Sequence, residues 1–234
     1  MNVQFLAIQE SKMSTLKMFR LRSLWGNLNF DYAVALSQGF SGGIISLWDP
    51  NVFVRSDLWC DNNFVIVKGK WLRENIEVYM VNVYAPQDLS DKIILWNKLS
   101  DFMNAHLGDY ICMGDWNAVR SMEDRCGSEF VTNDAIAFND FIDSNQLHEV
   151  SPDGLQFTWR NKVGSKLSKI DRFFISYNVL NMLDDITGLV LPRGESDHSP
   201  IMLFQKNLDF GPTNFKIYDS WFARSDFVNK IREI

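Results

Sequence analysis

The chain has 234 residues, of which 46% are hydrophobic and 14% aromatic, and its formal net charge is −6. This composition predicts a folded domain with a substantial core and excludes a mainly disordered chain, and no apolar run approaches the roughly 20 residues that a membrane-spanning helix needs. The negative net charge disfavours a protein that binds nucleic acid through its overall electrostatic field alone.

Short strands separated by turn residues dominate the first third of the chain. Residues 3–8 have the composition of a buried strand, and residues 13–25 are predicted to form a short helix. The next five strands are spaced about ten residues apart, which is typical of an antiparallel meander or half of a sandwich. They are predicted at 31–37, 43–48, 52–59, 64–71 and 76–84.

Two longer helices and a second group of strands follow. Apolar residues at helical spacing predict helices over 90–107 and 132–146, with a short apolar strand at 110–113 between them. Further strands are predicted at 156–160, 167–176, 188–191 and 200–204. After Asn207 the composition changes, which predicts a linker containing Gly211-Pro212 and a short helix near 219–234. We therefore expect one domain over residues 1–205, with 206–234 as a linker.

Two polar segments follow apolar strands, where α/β enzymes place their chemistry. The first ends in Glu10, and an acid at a strand end is by itself more often a solvated residue or a helix cap. The second places Asp115 and Asn117 two residues apart, on the same side of an extended segment. An aspartate there can accept a proton from water while the asparagine amide donates to a phosphate. An Asx-turn that uses both side chains for backbone bonds is an equally good interpretation.

The last histidine of the chain has the most informative neighbours. His198 lies beside Asp197, and such a pair can bind a metal with one group and contact a phosphate with the other. His106 and His148 lack such company and are interpreted as structural. A predicted hairpin carries five basic residues and one acid, Asp171, between positions 160 and 172. Burial of Asp171 in that apolar strand demands a partner, and His198 is the only credible candidate.

Together these segments resemble the endonuclease/exonuclease/phosphatase superfamily, in the branch similar to apurinic endonucleases. Within that branch the chain is most similar to the endonuclease domain of plant LINE-type (non-LTR) retrotransposons. The resemblance rests on seven motifs in order and covers essentially the whole chain. They are Ile8-Gln9-Glu10-Ser11-Lys12, Ser41-Gly42-Gly43-Ile44 with Leu47-Trp48, Asn82-Val83-Tyr84-Ala85-Pro86, Gly114-Asp115-Trp116-Asn117, Phe157-Thr158-Trp159, Ser168-Lys169-Ile170-Asp171-Arg172-Phe173 and Ser196-Asp197-His198-Ser199-Pro200.

The resemblance implies an α/β fold, a four-layer α-β-β-α sandwich of two mostly antiparallel sheets. It also implies a Mg²⁺-dependent DNA endonuclease, with Mn²⁺ as an alternative metal and no small-molecule cofactor. Glu10 matches the carboxylate that binds the metal, and Asp197 matches an acid near it. Asp115 matches the residue that activates or orients the attacking water, and Asn117 matches the one that holds the scissile phosphate.

The remaining site residues are carried over from the same resemblance. His198 matches the histidine that contacts the phosphate, Asp171 the residue that orients it, and Tyr84 a tyrosine that contacts the phosphate. Thr158 and Trp159 lie on the segment that faces DNA, and the basic residues Arg160 and Lys162 continue it. The tail resembles the segment that joins this domain to a reverse transcriptase, which implies that enzyme as a partner in cis.

The resemblance also implies a difference at the start of the chain. The family domain opens with a strand carrying an asparagine, in a pattern like Trp-Asn-x-Arg-Gly, whereas this chain starts at what resembles the second strand. We therefore expect an N-terminally truncated domain, or a gene model that begins too late. Two functional hypotheses follow. The chain is an active endonuclease that nicks target DNA to prime reverse transcription, or a catalytically impaired remnant with no activity or with residual nucleic-acid binding.

The cysteines and the first residues bear on the compartment. Cys60, Cys112 and Cys126 are odd in number and scattered, which favours a reducing compartment over a disulfide scaffold. No charged leader or signal-peptide core precedes the first predicted strand. We expect an intracellular protein, nuclear or cytoplasmic, that makes no contact with a membrane.

Overall fold

The computed structural model describes residues 3–37, 42–183 and 185–206. The predicted linker from 207 onward and the helix near 219–234 lie outside these residues, as does Ser41 of the second motif. Within the part described, no helix combines the length and the apolar composition that crossing a membrane requires.

The described residues form four α-helices, one 3₁₀ turn at Met122–Asp124 and fifteen strands. The helices are α1 (Met18–Trp25), α2 (Leu89–Ala105), α3 (Thr132–Ser144) and α4 (Tyr177–Met182). The strands are β1 (Phe5–Ile8), β2 (Asp31–Ala35), β3 (Ile44–Trp48), β4 (Phe53–Cys60), β5 (Phe64–Trp71), β6 (Ile76–Tyr84), β7 (Asp109–Asp115), β8 (Arg125–Cys126), β9 (Leu147–Val150), β10 (Pro152–Gly154), β11 (Trp159–Arg160), β12 (Leu167–Ser168), β13 (Asp171–Ser176), β14 (Ile186–Val190) and β15 (Ile201–Gln205).

A six-stranded sheet in the order β4-β5-β6-β7-β13-β9 lies at the centre of the molecule. Its neighbouring strands are antiparallel except β6 and β7, which are parallel because α2 crosses between them. The central strands are buried on both faces, which explains their almost continuous apolar sequences. Along β5, Ile66 faces the cluster formed with α2 and α3, whereas Val65 and Val67 face the opposite cluster.

The opposite cluster is covered by two three-stranded sheets, β1-β3-β2 and β10-β14-β15. Outside the first of these, Leu21 of α1 packs with Ile45 and Leu47 of β3. The order of layers is therefore α2 and α3, the six-stranded sheet, the three-stranded sheets, and α1. This confirms the predicted four-layer α-β-β-α sandwich, except that its second β layer consists of two separate three-stranded sheets. The fourth sheet of the described residues is small and has the order β8-β12-β11.

Three predicted elements differ from the observed ones because hydrogen bonds to residues distant in sequence replace regular structure. The first helix begins at Met18 rather than at residue 13, since Ser11 and Lys12 donate their backbone N–H groups to Gly43 and Gly42. The strand predicted at 167–176 is divided into β12 and β13, and that predicted at 156–160 is reduced to β11. The strands β8, β9 and β10 and the helix α4 were not predicted.

A buried ion network holds β13 against its neighbours. The Arg172 guanidinium is 2% exposed and donates to Glu149 Oε1 at 2.6 Å and Asp124 Oδ2 at 2.7 Å. Lys169 and Arg120 also contact the Glu149 carboxylate, at 2.7 and 2.9 Å. Burial alone would raise the pKa of Glu149, but Arg172, Lys169 and Arg120 together lower it to about 2. The network therefore requires the ionised carboxylate.

The Glu149 carboxylate should make the fold acid-sensitive. Because its pKa is lower in the folded chain, its contribution is fully present above the ordinary value of about 4.5 and is lost as the pH falls towards 2. We expect Glu149→Gln to lower the free energy of unfolding at pH 7 by about 2–3 kcal/mol, since the substitution leaves buried cations unpaired. Urea titrations at pH 7 and pH 3.5 should show this difference narrowing in acid. Exposed Glu129→Gln should change stability by less than about 0.5 kcal/mol, and an equal effect of both variants would contradict the network.

Candidate active site

Three candidate residues lie side by side where three central strands meet. Tyr84 ends β6 and Asp115 ends β7, and the parallel register pairs them. Asp171 begins β13 and is paired directly with Asp115 in the antiparallel register. The strand ends therefore bring a phenol and two carboxylates to the same edge of the sheet.

A close backbone contact fixes the position of Asp115. The preceding Gly114 has a φ of 137°, and a Cβ atom at this position would lie 2.0 Å from the carbonyl oxygen of Val83. Only glycine therefore lets β7 approach β6 closely enough here. Asp115, which follows, is 4% exposed.

Asp115 and Asn117 form the Asx-turn that the sequence left open as an alternative. Asp115 Oδ1 accepts the backbone N–H of Asn117 at 2.9 Å. The Asn117 amide donates to Ala85 O at 2.7 Å and to Asp115 Oδ2 at 3.3 Å, and its φ is 46°. Contact between this amide and a phosphate thus requires one of these bonds to be exchanged.

The predicted pairing of His198 with Asp171 is present. His198 Nδ1 lies 2.9 Å from Asp171 Oδ2, and Nε2 lies 4.0 Å from Asp115 Oδ2. Burial lowers the pKa of His198, but the hydrogen bond and charge of Asp171, with the charges of Asp115 and Asp197, raise it to about 9. At neutral pH the imidazole is therefore a cation between two buried carboxylates.

The pKa of Asp115 is also raised, but here burial is the main cause of the increase. Burial and the charge of Asp171 raise its pKa, and His198 and the Asn117 N–H lower it, with a result of about 7. The charge of Glu10 also contributes to the increase. Four carboxylates influence this small region, whereas its cations are the His198 imidazolium and, at the exposed side, Lys12 Nζ at 3.9 Å from Glu10 Oε2, which leaves the site short of positive charge.

Glu10 reaches the site from β1 and is held by Tyr84. The Tyr84 hydroxyl donates to Glu10 Oε1, and burial, this bond and the charges of Asp115 and Asp197 raise the pKa of Tyr84 well above its usual range. Glu10 has a φ of 50°, and its side chain is 47% exposed. The residue before it, Gln9, donates to the fully buried Asn82 at 2.5 Å.

Asp197 lies on the exposed side of the site. Its Oδ2 accepts the indole N–H of Trp159 at 3.0 Å, and its backbone oxygen accepts the N–H of Arg160 at 3.1 Å. Arg160 and Lys162 are exposed on the same strand and turn. The structure thus places Trp159 and Arg160 beside Asp197, and Lys162 follows them in the next turn.

The structure corrects the interpretation of Thr158 and of the basic hairpin. Thr158 is 1% exposed, so its side chain does not face a DNA surface, and its hydroxyl is occupied by backbone N–H groups. Of the five predicted hairpin cations, Lys169 and Arg172 are paired with Glu149 and Asp124 in the buried network. The basic residues exposed between 160 and 172 are therefore Arg160, Lys162 and Lys166.

The residues of the site fit a divalent cation by their chemistry. Mg²⁺ prefers one or two carboxylates together with water and phosphate oxygens. Glu10 and Asp197 supply such carboxylates, and the raised pKa of Asp115 indicates negative charge that a cation would neutralise. Among the described residues, no group of three or more His, Cys, Asp or Glu side chains is arranged to hold a metal.

Sequence reasoning missed one buried polar contact beneath the site. Asn82 lies in the middle of the apolar strand β6 and donates to Ile45 O at 3.0 Å and to Ser46 Oγ at 3.2 Å. With its bond from Gln9, it ties β6 to β1 and β3 next to Glu10. A single amide inside an apolar strand was the signal, because a buried polar group needs partners.

Comparison of the structure with solved structures identifies the fold. The catalytic domain of Xenopus laevis APE2 matches with a TM-score of 0.68 at 14% identity, over 88% of this chain and 84% of that one. An AP endonuclease of Leishmania major, LMAP, matches with 0.64 at 14%, over 87% and 78%. The endonuclease domain of TRAS1, a telomere-specific non-LTR retrotransposon, matches with 0.60 at 19%, over 88% and 86%.

The chain has the endonuclease/exonuclease/phosphatase fold. No family model and no curated protein matches the sequence. At these identities the likeness establishes the architecture, and the chemistry of the site has to be argued from its own residues.

Replacement of Gly114 should disturb the site and the fold together. We expect Gly114→Ala to lower the free energy of unfolding by at least about 3 kcal/mol, because the new methyl group would overlap the carbonyl oxygen of Val83. Gly194→Ala is the matched control, since a Cβ there meets no atom within 4 Å. Chemical denaturation of the two variants measures the difference, and similar stabilities would show that β6 and β7 are less closely packed than described.

Proposed function

We propose that this chain is a metal-dependent DNA endonuclease that hydrolyses a phosphodiester bond. The observation that supports this most strongly is the position of His198, bonded through Nδ1 to Asp171 and facing Asp115 through Nε2. This arrangement presents an imidazolium and a carboxylate of raised pKa next to each other. Attack of water on a phosphate uses both, one to accept a proton and the other to stabilise negative charge.

Each residue has a role that follows from its contacts. Asp115 orients the attacking water and accepts its proton, because a carboxylate with a pKa of about 7 is a better base than an ordinary one. His198 donates from Nε2 to a phosphate oxygen, while Asp171 holds the ring by Nδ1. Tyr84 and Asn117 line the same edge, and each would contact the phosphate by exchanging a hydrogen bond that it now donates, to Glu10 or to Ala85 and Asp115.

A metal ion supplies the part of the chemistry that the side chains lack. When bound, Mg²⁺ or Mn²⁺ would be held by Glu10 and Asp197 and would act as a Lewis acid on the phosphate. The Tyr84 hydroxyl orients Glu10 and the Trp159 indole orients Asp197, so both carboxylates are already positioned.

A role within a retrotransposon is the finer part of the proposal. The seven ordered motifs support it, and the TRAS1 endonuclease domain has the same fold. In this role the nick would prime reverse transcription by an enzyme encoded in cis, with residues 206–234 as the connecting segment.

Nicking of supercoiled plasmid DNA tests the proposed function. We expect the chain to convert supercoiled to open-circular DNA with Mg²⁺ or Mn²⁺ and to stop when the metal is chelated. Asp115→Ala should lower the rate by about 10²–10⁴-fold and His198→Ala by about 10²–10³-fold, because each removes a group acting on the reacting phosphate. Exposed Glu129→Gln is the control and should nick like the unmodified chain.

The possible outcomes separate the two functional hypotheses. No nicking by the unmodified chain with either metal would overturn the proposal in favour of the impaired remnant. Nicking that survives both Asp115→Ala and His198→Ala would show that the activity lies elsewhere or belongs to a contaminant.

Binding of DNA should depend on the exposed cations beside Asp197. We expect the double variant Arg160→Ala/Lys162→Ala to raise KM for DNA several-fold and to weaken its salt dependence, with little change in kcat, since these residues would contact phosphates away from the reacting one. The matched control is Lys70→Ala/Arg73→Ala. These residues lie near the turn between β5 and β6, at the end of the hairpin opposite to Tyr84 and the site. Equal effects of the two pairs would indicate only a non-specific loss of positive charge.

A further inference from the structure

Thr158 was predicted to lie on the segment that faces DNA, but it is buried beside the site. It contacts both chain segments that carry the His198–Asp171 pair. Thr158 directly precedes β11 and is 1% exposed. Its hydroxyl oxygen accepts the backbone N–H groups of Ile170 at 3.1 Å and Asp171 at 3.0 Å. Its side chain therefore fixes the backbone at the start of β13, which is the residue Asp171.

The backbone of Thr158 fixes the other partner. Its carbonyl oxygen accepts the N–H of Ser199 at 2.6 Å, and its neighbour Trp159 forms an isolated bridge with His198. One residue thus binds the backbone at Asp171 by its side chain and the backbone next to His198 by its main chain. The 2.9 Å contact between His198 Nδ1 and Asp171 Oδ2 therefore joins two backbone segments that Thr158 holds in place.

A hydroxyl group suits this position for a geometric reason. The ladder between β11 and β12 ends at the Trp159 and Ser168 pair, and β13 begins three residues later on a different sheet. The N–H groups of Ile170 and Asp171 fall in the gap between the two sheets and are both accepted by the Thr158 oxygen. A side chain without an oxygen would leave two buried donors unpaired.

From these contacts we propose that Thr158 is the positioning residue of the proposed endonuclease, setting the distance between Asp171 and His198 without touching the substrate. This inference rests on the proposed function for its effect on catalysis, and its structural part is independent of activity. Loss of the hydroxyl lets the start of β13 move, and the imidazole loses the carboxylate that fixes its orientation. Substrate binding is unchanged because the cations that would contact DNA are on the outer side of the segment.

Two substitutions separate the hydroxyl from the size of the side chain. Thr158→Val keeps the shape and removes the acceptor, whereas Thr158→Ser keeps the acceptor and removes a methyl group. We expect Thr158→Val to lower kcat for nicking by about 10–100-fold with KM for DNA changed less than about threefold. Thr158→Ser should stay within about threefold of the unmodified chain in both.

A control for general destabilisation completes the kinetic comparison. Val67 is fully buried in β5, two strands away from β7, and Val67→Ala should lower thermal stability while leaving kcat within about twofold. An equal loss of kcat in Val67→Ala and Thr158→Val would reduce the role of Thr158 to stability and overturn the proposal. A loss confined to KM would overturn it in favour of a DNA contact.

Two further measurements do not need activity. The NMR signal of the His198 Nδ1 proton, shielded from exchange by Asp171, should persist in the unmodified chain and in Thr158→Ser and disappear in Thr158→Val. If Thr158→Val does not fold, hydrogen exchange in the unmodified chain decides: the amides of Ile170 and Asp171 should exchange as slowly as those of the central strands. Fast exchange, or an unchanged signal in Thr158→Val, contradicts the inference. A chain that shows both structural results but no nicking refutes only the proposed function.

Discussion

Two carboxylates, Asp115 and Asp171, face each other on neighbouring strands, and this pairing costs free energy unless a cation lies beside it. His198 is that cation in the described structure: the two carboxylates raise its pKa, and its charge offsets part of the increase that burial and Asp171 cause in the pKa of Asp115. The same register directs the next residue, Arg172, to the opposite face of β13, where it organises Glu149 and Asp124. Strand register therefore couples the chemistry of the site to the stability of the sheet.

Much of the architecture could be predicted because the central strands and the two long helices carry strong periodic patterns. The ends of α2 and α3 agree with the predicted helices 90–107 and 132–146 to within about two residues, and β5 and β6 have the predicted bounds. The pairing of Asp171 with His198 was also predictable, since a buried carboxylate needs a partner. The start of α1 and the division of β12 from β13 were not, because backbone bonds to residues distant in sequence decide them. Burial of Thr158 escaped for the same reason, since nothing local shows that two amides converge on its hydroxyl.

Fewer basic residues are exposed between 160 and 172 than the sequence suggested. Five basic residues lie between 160 and 172, but two of them, Lys169 and Arg172, are paired inside the ion network. Three exposed cations remain there in a chain of net charge −6. In the proposed endonuclease, attraction of DNA would therefore depend on where these cations lie, and a bound metal would make the carboxylates part of a cationic site.

The left-handed backbone conformation of Glu10 and Asn117 lowers stability at two residues of the proposed site. Both residues have positive φ values, of 50° and 46°, a conformation that glycine adopts without cost and that asparagine tolerates better than glutamate. The chain thus carries roughly 1 kcal/mol of strain at Glu10 that the fold itself does not need. In a library selected only for thermal resistance, we expect glycine to be enriched at residue 10, and the more stable variants would lack the carboxylate that is proposed to hold the metal.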